Sequence, residues 1–168
     1  AVVFVDFPDV AGGSAELSEH IAEIKKSAEW YSWFSQGNVK YSLRIADRWV
    51  RAPKNSENYF WLHPGKPGRQ LMSDIEIAST YRSLAGSVVD TTGVTTVWAV
   101  LPKAITAIDE GFAYRGYPGV FSIGSDSYRA RTPIWQHFVH ETLHSHGALG
   151  HSPKNAQIGL FWITGSPG

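Results

Sequence analysis

The segment His140-Glu141-Thr142-Leu143-His144 carries the residue types that metal-assisted hydrolysis needs. On a helix, a four-residue offset turns the second imidazole only about 40° from the first, so His140 and His144 can bind one metal ion. Glu141 lies about 100° from His140, close enough to reach a metal-bound water without being a ligand itself. Two neutral imidazoles can hold a metal ion that acts as a Lewis acid and activates a water, and the carboxylate can accept the proton of that water. The spacing therefore predicts a catalytic zinc site.

The same spacing could also arise in a helix that binds no metal. An amphipathic helix can present His and Glu side chains to solvent, and seven His in 168 residues make a match by composition conceivable. Gly147 and His151 argue against this explanation. Glycine readily adopts the left-handed conformation that ends a helix, so the chain can turn and bring His151 back towards the metal. The extended motif favours the metal site.

The third ligand is sought among the residues that follow the motif. No Asp or Glu occurs after Glu141, so a downstream carboxylate is excluded within this chain. His146 lies about 240° around the helix from His140 and would face away from the metal. His151 is the best candidate, and it leaves the fourth position to water. His137 lies about 60° from His140 and could support a ligand, contact substrate or be plain surface.

Length and composition limit the class of protein. A chain of 168 residues with 43% hydrophobic content predicts a single domain, 1–168, with a real core. The formal net charge is zero and no Lys/Arg cluster stands out, which argues against nucleic acid and an anionic membrane as partners. The protein or peptide substrate that we expect follows from the hydrolytic motif instead. The chain has no Cys, so disulfides and thiolate ligands are excluded. No apolar run approaches the length of a transmembrane span.

The first part of the chain predicts two strands around a helix. Ala1–Phe7 is rich in Val and Phe, which is typical of a buried strand. After Gly12, Ser14 or Ser18 can cap a helix that ends near residues 35–38. Val39–Ile45 alternates well enough for the second strand, and residues 52–70 form a loop. The helix has one predicted apolar stripe, formed by Leu17, Ile21, Ile24, Ala28 and Tyr31.

The second part continues the alternation of helix and strand. Ser73 and Glu76 form a capping box that opens a helix to about Val88. Val94–Leu101 and Gly119–Ile123 are predicted strands, and Thr132 with Pro133 begins the motif helix. This order favours an α/β domain with a mixed twisted sheet, a backing helix and an active-site helix. The inward positions of the capped helix are Ile75, Ala78, Leu84 and Ala85.

With these segments in view, the chain resembles the metzincin side of the zincin metallopeptidases. It is most similar to secreted proteases of the immune inhibitor A and gametolysin type. Three segments carry this resemblance: VVFVDFPD at Val2–Asp9, the passage Trp30–Gly37 into a strand, and HETLHSHGALGH at His140–His151. Only the last of these is specific.

The resemblance implies a cleft beneath a twisted sheet, with the active-site helix as its floor and substrate extended along an edge strand. His140, His144 and His151 would bind one zinc ion, and Glu141 would be the general base. The protein would be secreted, and we expect a monomer with an upper subdomain, 1–147, and a very short lower one, 148–168.

Two departures from the family pattern stand in the sequence. Three residues separate Gly147 from His151, where the family usually has two. No Met follows His151, because the only Met is Met72, so the Met-turn expected beneath the zinc is absent or rebuilt from residues such as Ile158 or Leu160.

The predicted activity is that of a zinc endopeptidase. Glu141 would accept a proton from the metal-bound water as it attacks a peptide carbonyl, and would pass that proton to the leaving amine. Tyr128 and His137 are the candidates for stabilising the oxyanion beside the zinc, although Tyr128 also suits a structural role.

Other interpretations remain open. A zinc-stapled, non-catalytic module could present aromatic residues such as Trp30, Trp33, Trp49 and Trp61 to a protein or carbohydrate ligand. A closed structural site would then need His137 as a fourth ligand. A catalytically inactive relative has little support while Glu141 is present. Calcium is a weaker prediction, because the oxygen donors Asp74, Glu76 and Asp126 lack recognised ligand spacing.

Overall fold

Five strands form one mixed sheet. In this computed structural model the residues described are 1–59, 72–108, 112–113, 119–123 and 133–145. The strands are Val2–Asp6 (β1), Ile45–Arg51 (β2), Val97–Val100 (β3), Phe112–Ala113 (β4) and Val120–Ile123 (β5). Their order is β2-β1-β3-β5-β4. The first four in this order run parallel, and β4 pairs antiparallel with β5 at the edge.

Three α-helices cover both faces of the sheet. They are Ser14–Phe34 (α1), Asp74–Gly86 (α2) and Ile134–Ser145 (α3), and a short 3-10 helix spans Ser56–Tyr59. α1 and α3 pack together on one face, and α2 packs on the other. β2 lies on one side of β1 and β3 on the other, so right-handed crossovers place α1 and α2 on opposite faces. The predicted α/β class and mixed sheet are confirmed.

The central strands owe their apolar sequence to burial on both faces. In β1, Val3 and Val5 point into the core under α2, and Val2 and Phe4 point into the core under α1 and α3. β3 follows the same alternation, with Trp98 and Val100 on the side of α1 and α3. Continuous runs of Val and aromatic residues are typical of such doubly covered strands. None of the helices within the described ranges is long and apolar enough to cross a membrane.

The helix α1 begins and ends close to its predicted limits, but its start is not capped as predicted. Gly13 occupies the N-cap position and no side chain caps the helix there, so neither Ser14 nor Ser18 has the predicted role. At the other end the chain leaves the helix through Gln36 and Gly37, whose φ angles are 53° and 83°. These left-handed conformations end the helix where the sequence predicted.

The second strand is displaced from its predicted position. Val39–Ile45 was expected to be a strand, whereas the strand observed is Ile45–Arg51. Pairing with β1 starts where Ile45 lies opposite Val2, and residues 39–44 are not in the sheet. Tyr41, within the mispredicted segment, instead packs its ring near those of Tyr31 and Trp98. Packing and register, not local alternation, decide which residues form this strand.

The capping box of α2 is confirmed, but the orientation of the helix is only partly as predicted. The Ser73 hydroxyl accepts from the Glu76 N–H, and the Glu76 carboxylate accepts from the Ser73 N–H. Ala78 and Ala85 are buried as expected, whereas Ile75 is 58% exposed. The buried face is centred on Tyr81, which the predicted stripe omitted, and this centre lies about 120° from Ile75 around the helix.

Candidate functional site

The helix α3 carries the chemical motif on a partly exposed face. It begins at Ile134, directly after Pro133, and includes His137, His140, Glu141 and His144. The three histidines fall within an arc of about 60° around the helix axis. Both His137 and His140 are half-buried, although the Nε2 atom of His137 is itself buried. The side chain of His144 is outside the description of the structure.

The opposite side of α3 anchors the helix in the core. Phe138, Val139 and Thr142 are buried, and the Phe138 ring packs against that of Trp98 with centroids 4.8 Å apart. The Thr142 hydroxyl donates to the Phe138 carbonyl at 2.6 Å, so its polar group is satisfied within the helix. Burial on this side fixes the rotation of the helix about its axis, and so fixes the direction of the histidine face.

Glu141 lies at the boundary between the two sides. Glu141 is only 8% exposed, and it follows His140 directly in the helix. A carboxylate in this position has few conformations available and little contact with bulk water. Both properties suit a group that must accept a proton from one fixed direction.

A long-range hydrogen bond ties α3 to α1. The hydroxyl of Tyr31 donates to the carbonyl oxygen of Val139 at 2.7 Å, and the bond is buried. Burial raises the pKa of the Tyr31 phenol well above its usual value, so this group stays a neutral donor. Because Val139 immediately precedes His140, the bond holds the motif helix next to the first of the candidate ligands. Sequence reasoning placed Tyr31 in the apolar stripe of α1 and missed this role.

Several predicted site residues lie outside the described residues. They are the candidate third ligand His151, the helix-ending Gly147, the candidate oxyanion contact Tyr128, and the proposed substitutes for the Met-turn, Ile158 and Leu160. Thr132, predicted to cap the motif helix, is also outside them, as is the lower subdomain 148–168. The structure therefore places His137, His140, Glu141 and His144 on one helix, α3.

The donor set on α3 is compatible with zinc. Among the side chains within the described ranges, no group of three His, Asp or Glu residues is placed to hold a metal ion. The predicted triad has one member with a described side chain, His140, so this finding leaves the triad untested. The helix does place two His positions about 40° apart around its axis, with Glu141 directly after the first of them, which is the spacing of a zinc site.

The two carboxylates of the N-terminal segment Val2–Asp9, one of the segments that carry the metzincin resemblance, have structural partners. Asp6 ends β1 and is nearly buried; it accepts from the Arg51 guanidinium at 2.7 and 3.0 Å and from the Gly12 N–H at 3.2 Å. Asp9 accepts from the Ser56 N–H at 2.8 Å and from its hydroxyl at 2.7 Å. These acids therefore fasten β1 to β2 and to the loop that follows β2.

The weak calcium prediction gains no support from the residues that can be checked. The Glu76 carboxylate accepts from both the N–H and the hydroxyl of Ser73 at 2.7 Å, so it is engaged in the helix cap. Asp126 lies outside the described residues.

A buried histidine lies apart from the motif. His20 on α1 is fully buried, its ring stacks near Phe4, and its Nε2 lies 3.1 Å from a carboxylate oxygen of Glu16. The same carboxylate accepts the N–H of Lys103. Burial lowers the pKa of His20 below its ordinary 6.5, although the Glu16 carboxylate opposes this effect. The imidazole is therefore neutral at pH 7 and serves the core.

This histidine predicts a pH dependence of stability. Below pH 6.5 the unfolded chain binds a proton at His20 before the folded chain does, so the free energy of unfolding must fall as the pH falls. The slope from this one group is at most about 1.4 kcal/mol per pH unit. Above pH 7.5 it contributes no slope. Urea unfolding of the wild type and of His20→Gln between pH 5 and 8 measures the difference, and equal slopes would contradict it.

Comparison of the chain with protein-family models, with curated proteins and with solved structures gave no match in any of the three.

Proposed function

We propose that the protein is a zinc-dependent endopeptidase, with His140, His144 and His151 as the metal ligands and Glu141 as the general base. The observation that carries the proposal is the arrangement on α3. One continuous helix, anchored in the core by Phe138, carries His140 and His144 on one face, and the nearly buried Glu141 adjoins it.

The position of α3 in the fold also supports a peptide substrate. α3 packs against β4 and β5, so the motif helix runs beneath the antiparallel end of the sheet. β4 is the last strand in the sheet order among the described residues. An extended peptide can add to such an edge through backbone hydrogen bonds. This arrangement agrees with the cleft that the metzincin resemblance implies, and it would bring a scissile carbonyl close to the helix.

The chemistry is divided between the metal and the carboxylate. Zinc, when bound, supplies a Lewis acid and a water of lowered pKa. Glu141 takes the proton from the attacking water and passes it to the leaving amine. Its position directly after His140 allows both transfers. The Tyr31 hydrogen bond to Val139 and the packing of Phe138 hold the helix that carries Glu141 against α1 and the sheet.

Removal of the metal tests the proposal. Purified protein should contain about one zinc ion per chain and should cleave an unfolded substrate such as casein. Treatment with 1,10-phenanthroline should abolish cleavage, and zinc should restore it, because no other group on α3 can replace the Lewis acid. Added Mg²⁺ is the matched control and should restore nothing, because it prefers oxygen donors. Cleavage that survives complete removal of zinc would contradict the proposal.

The competing proposal is a module that uses zinc only as a structural staple. It requires a closed metal site, so His137 would have to bind the metal as a fourth ligand. His137 lies on the same face of α3 as His140 and is half-buried, so its position allows this role. Two of the aromatic residues named for its ligand surface, Trp30 and Trp33, do lie together on α1, whereas Trp49 packs against Phe4 and His20. A protein with bound zinc, His137 on the metal and no peptidase activity would favour this alternative.

A further inference from the structure

A groove lined by indole rings lies between α1 and α3, outside the candidate active site. Trp30 and Trp33 of α1 and Trp135 of α3 line it together with Lys26 and Glu29, and it is a shallow, open depression of about 350 Å³. This volume lies near the lower end of the range for small-ligand sites, roughly 300–1,000 Å³. The groove therefore has room for a ligand the size of a short oligosaccharide unit.

The groove and the histidine face lie on different sides of α3. Trp135 is five residues before His140, which corresponds to about 140° of rotation around the helix. A ligand in the groove would therefore not contact the metal-binding imidazoles. Any binding there is independent of peptide hydrolysis, and the inference does not rest on the proposed zinc chemistry.

One of the three indole rings is largely open to solvent and another is fixed by stacking. Trp33 is 76% exposed, although a large apolar side chain gains free energy from burial. Trp30 stacks on Phe34 with centroids 4.7 Å apart and an angle of 9° between the rings, which fixes its orientation. By contrast, Trp49 and Trp98 pack against core aromatics. Clustered exposed aromatic rings on a rigid helix are typical of binding surfaces.

The charges along the groove select the kind of ligand. Lys26 and Glu29 lie beside the rings, and the Lys26 ammonium is ion-paired with the Glu23 carboxylate, so two carboxylates and one ammonium surround them. A strongly anionic ligand would meet repulsion from these carboxylates. A neutral ligand with apolar faces and a rim of hydroxyl groups would satisfy all of the lining, since C–H faces stack on indoles and hydroxyls bond the carboxylate and the ammonium.

We propose that this groove binds a neutral polysaccharide, by stacking sugar rings on Trp33, Trp30 and Trp135 while Glu29 and Lys26 bond their hydroxyl groups. An amphipathic peptide helix is a poorer fit, because such helices bind grooves with an extended aliphatic lining and none of the described residues that line this groove is aliphatic.

Titration with defined sugars tests the inference. The probes are cellohexaose, chitohexaose, laminarihexaose, mannohexaose and xylohexaose, followed by isothermal calorimetry and by tryptophan fluorescence. At least one should bind with a Kd of roughly 10 µM to 1 mM, as expected for a shallow site. Trp33→Ala and Trp135→Ala should each weaken that binding about tenfold or more. Ile75→Ala, which removes an exposed apolar side chain from α2, is the matched control and should change nothing.

Two further experiments distinguish sugar binding in the groove from the proposed peptidase activity. Binding should persist in Glu141→Gln and after zinc removal, and Trp33→Ala should cleave casein at the wild-type rate. Absence of binding to all five sugars at millimolar concentration would overturn the proposal, as would binding that both tryptophan variants retain. Tight binding of a proline-rich peptide at Trp33, or dimerisation that Trp33→Ala abolishes, would assign the groove to a protein partner instead.

Discussion

Replacing Glu141 by Gln should leave the zinc content unchanged and lower kcat by about 10²–10⁴-fold, the range that positioned general bases contribute. The amide has almost the same shape as the carboxylate, so the packing of a residue that is 8% exposed is preserved. It cannot accept the proton from the attacking water. Metal analysis and steady-state kinetics on a fluorogenic peptide measure the two quantities separately.

A matched substitution controls for the change of charge. Glu57→Gln removes one negative charge from an exposed position in the 3-10 helix and should cleave at the wild-type rate. A Glu141→Gln variant that keeps near-normal turnover would end the role proposed for this carboxylate. Loss of zinc together with activity would point to a structural role for Glu141 and would also contradict the prediction.

Replacing Phe138 by Ala should lower the free energy of unfolding by about 3–5 kcal/mol, because it opens a cavity where no side chain can move in fully. Phe138 is fully buried and packs against Trp98 on the face of the sheet that α1 and α3 share. Denaturation in urea, followed by tryptophan fluorescence, gives the difference directly. We also expect weaker zinc binding, because the rotation of α3 depends on this contact.

The same substitution at an exposed position is the control. Phe34 is 53% exposed and contacts mainly Trp30, so Phe34→Ala should cost no more than about 1 kcal/mol. If Phe138→Ala does not fold, Phe138→Leu should still unfold at a lower urea concentration than the wild type, by about 1.5 kcal/mol or less. Equal stability of the two Ala variants would show that α3 is not held by this side chain.

The parts of the fold that sequence predicted well are those with strong local signals. β1 and β3 are runs of Val and aromatic residues long enough to need burial on both faces, and they were found within a few residues of their limits. The helix limits at Ser73 and near Gly37 follow from a capping box and from left-handed residues, both of which are read from neighbouring positions.

The errors in the fold arise where distant residues decide. The strand predicted at Val39–Ile45 is observed instead at Ile45–Arg51, because the register with β1 starts at Ile45. Ile75 was placed inward because its spacing to Ala78 and Ala85 fits a stripe, but the burial of Tyr81 rotates the helix away from that stripe. Neither the position of β2 nor the rotation of α2 can be predicted from the residues of that one element alone.

The candidate site divides in the same way. The motif on α3 was recognised from a spacing of four residues, which is local information. The hydrogen bond from Tyr31 to Val139 joins residues 108 positions apart, and the groove brings Trp135 against Trp30 and Trp33 from a different helix. Such pairings depend on how α1 and α3 pack, and nothing near Tyr31 in the sequence indicates its partner.

The place of β1 in the middle of the sheet has a consequence for biosynthesis. This strand leaves the ribosome before all the others, yet its partner β3 lies almost a hundred residues later, with Val2 opposite Trp98. The nascent chain must therefore carry a largely apolar strand that can pair with β2 along one edge but has its other edge unpaired until β3 has been translated. Chains in this situation fold slowly and are prone to aggregate, so we expect good yields to depend on chaperones or on slow expression at low temperature.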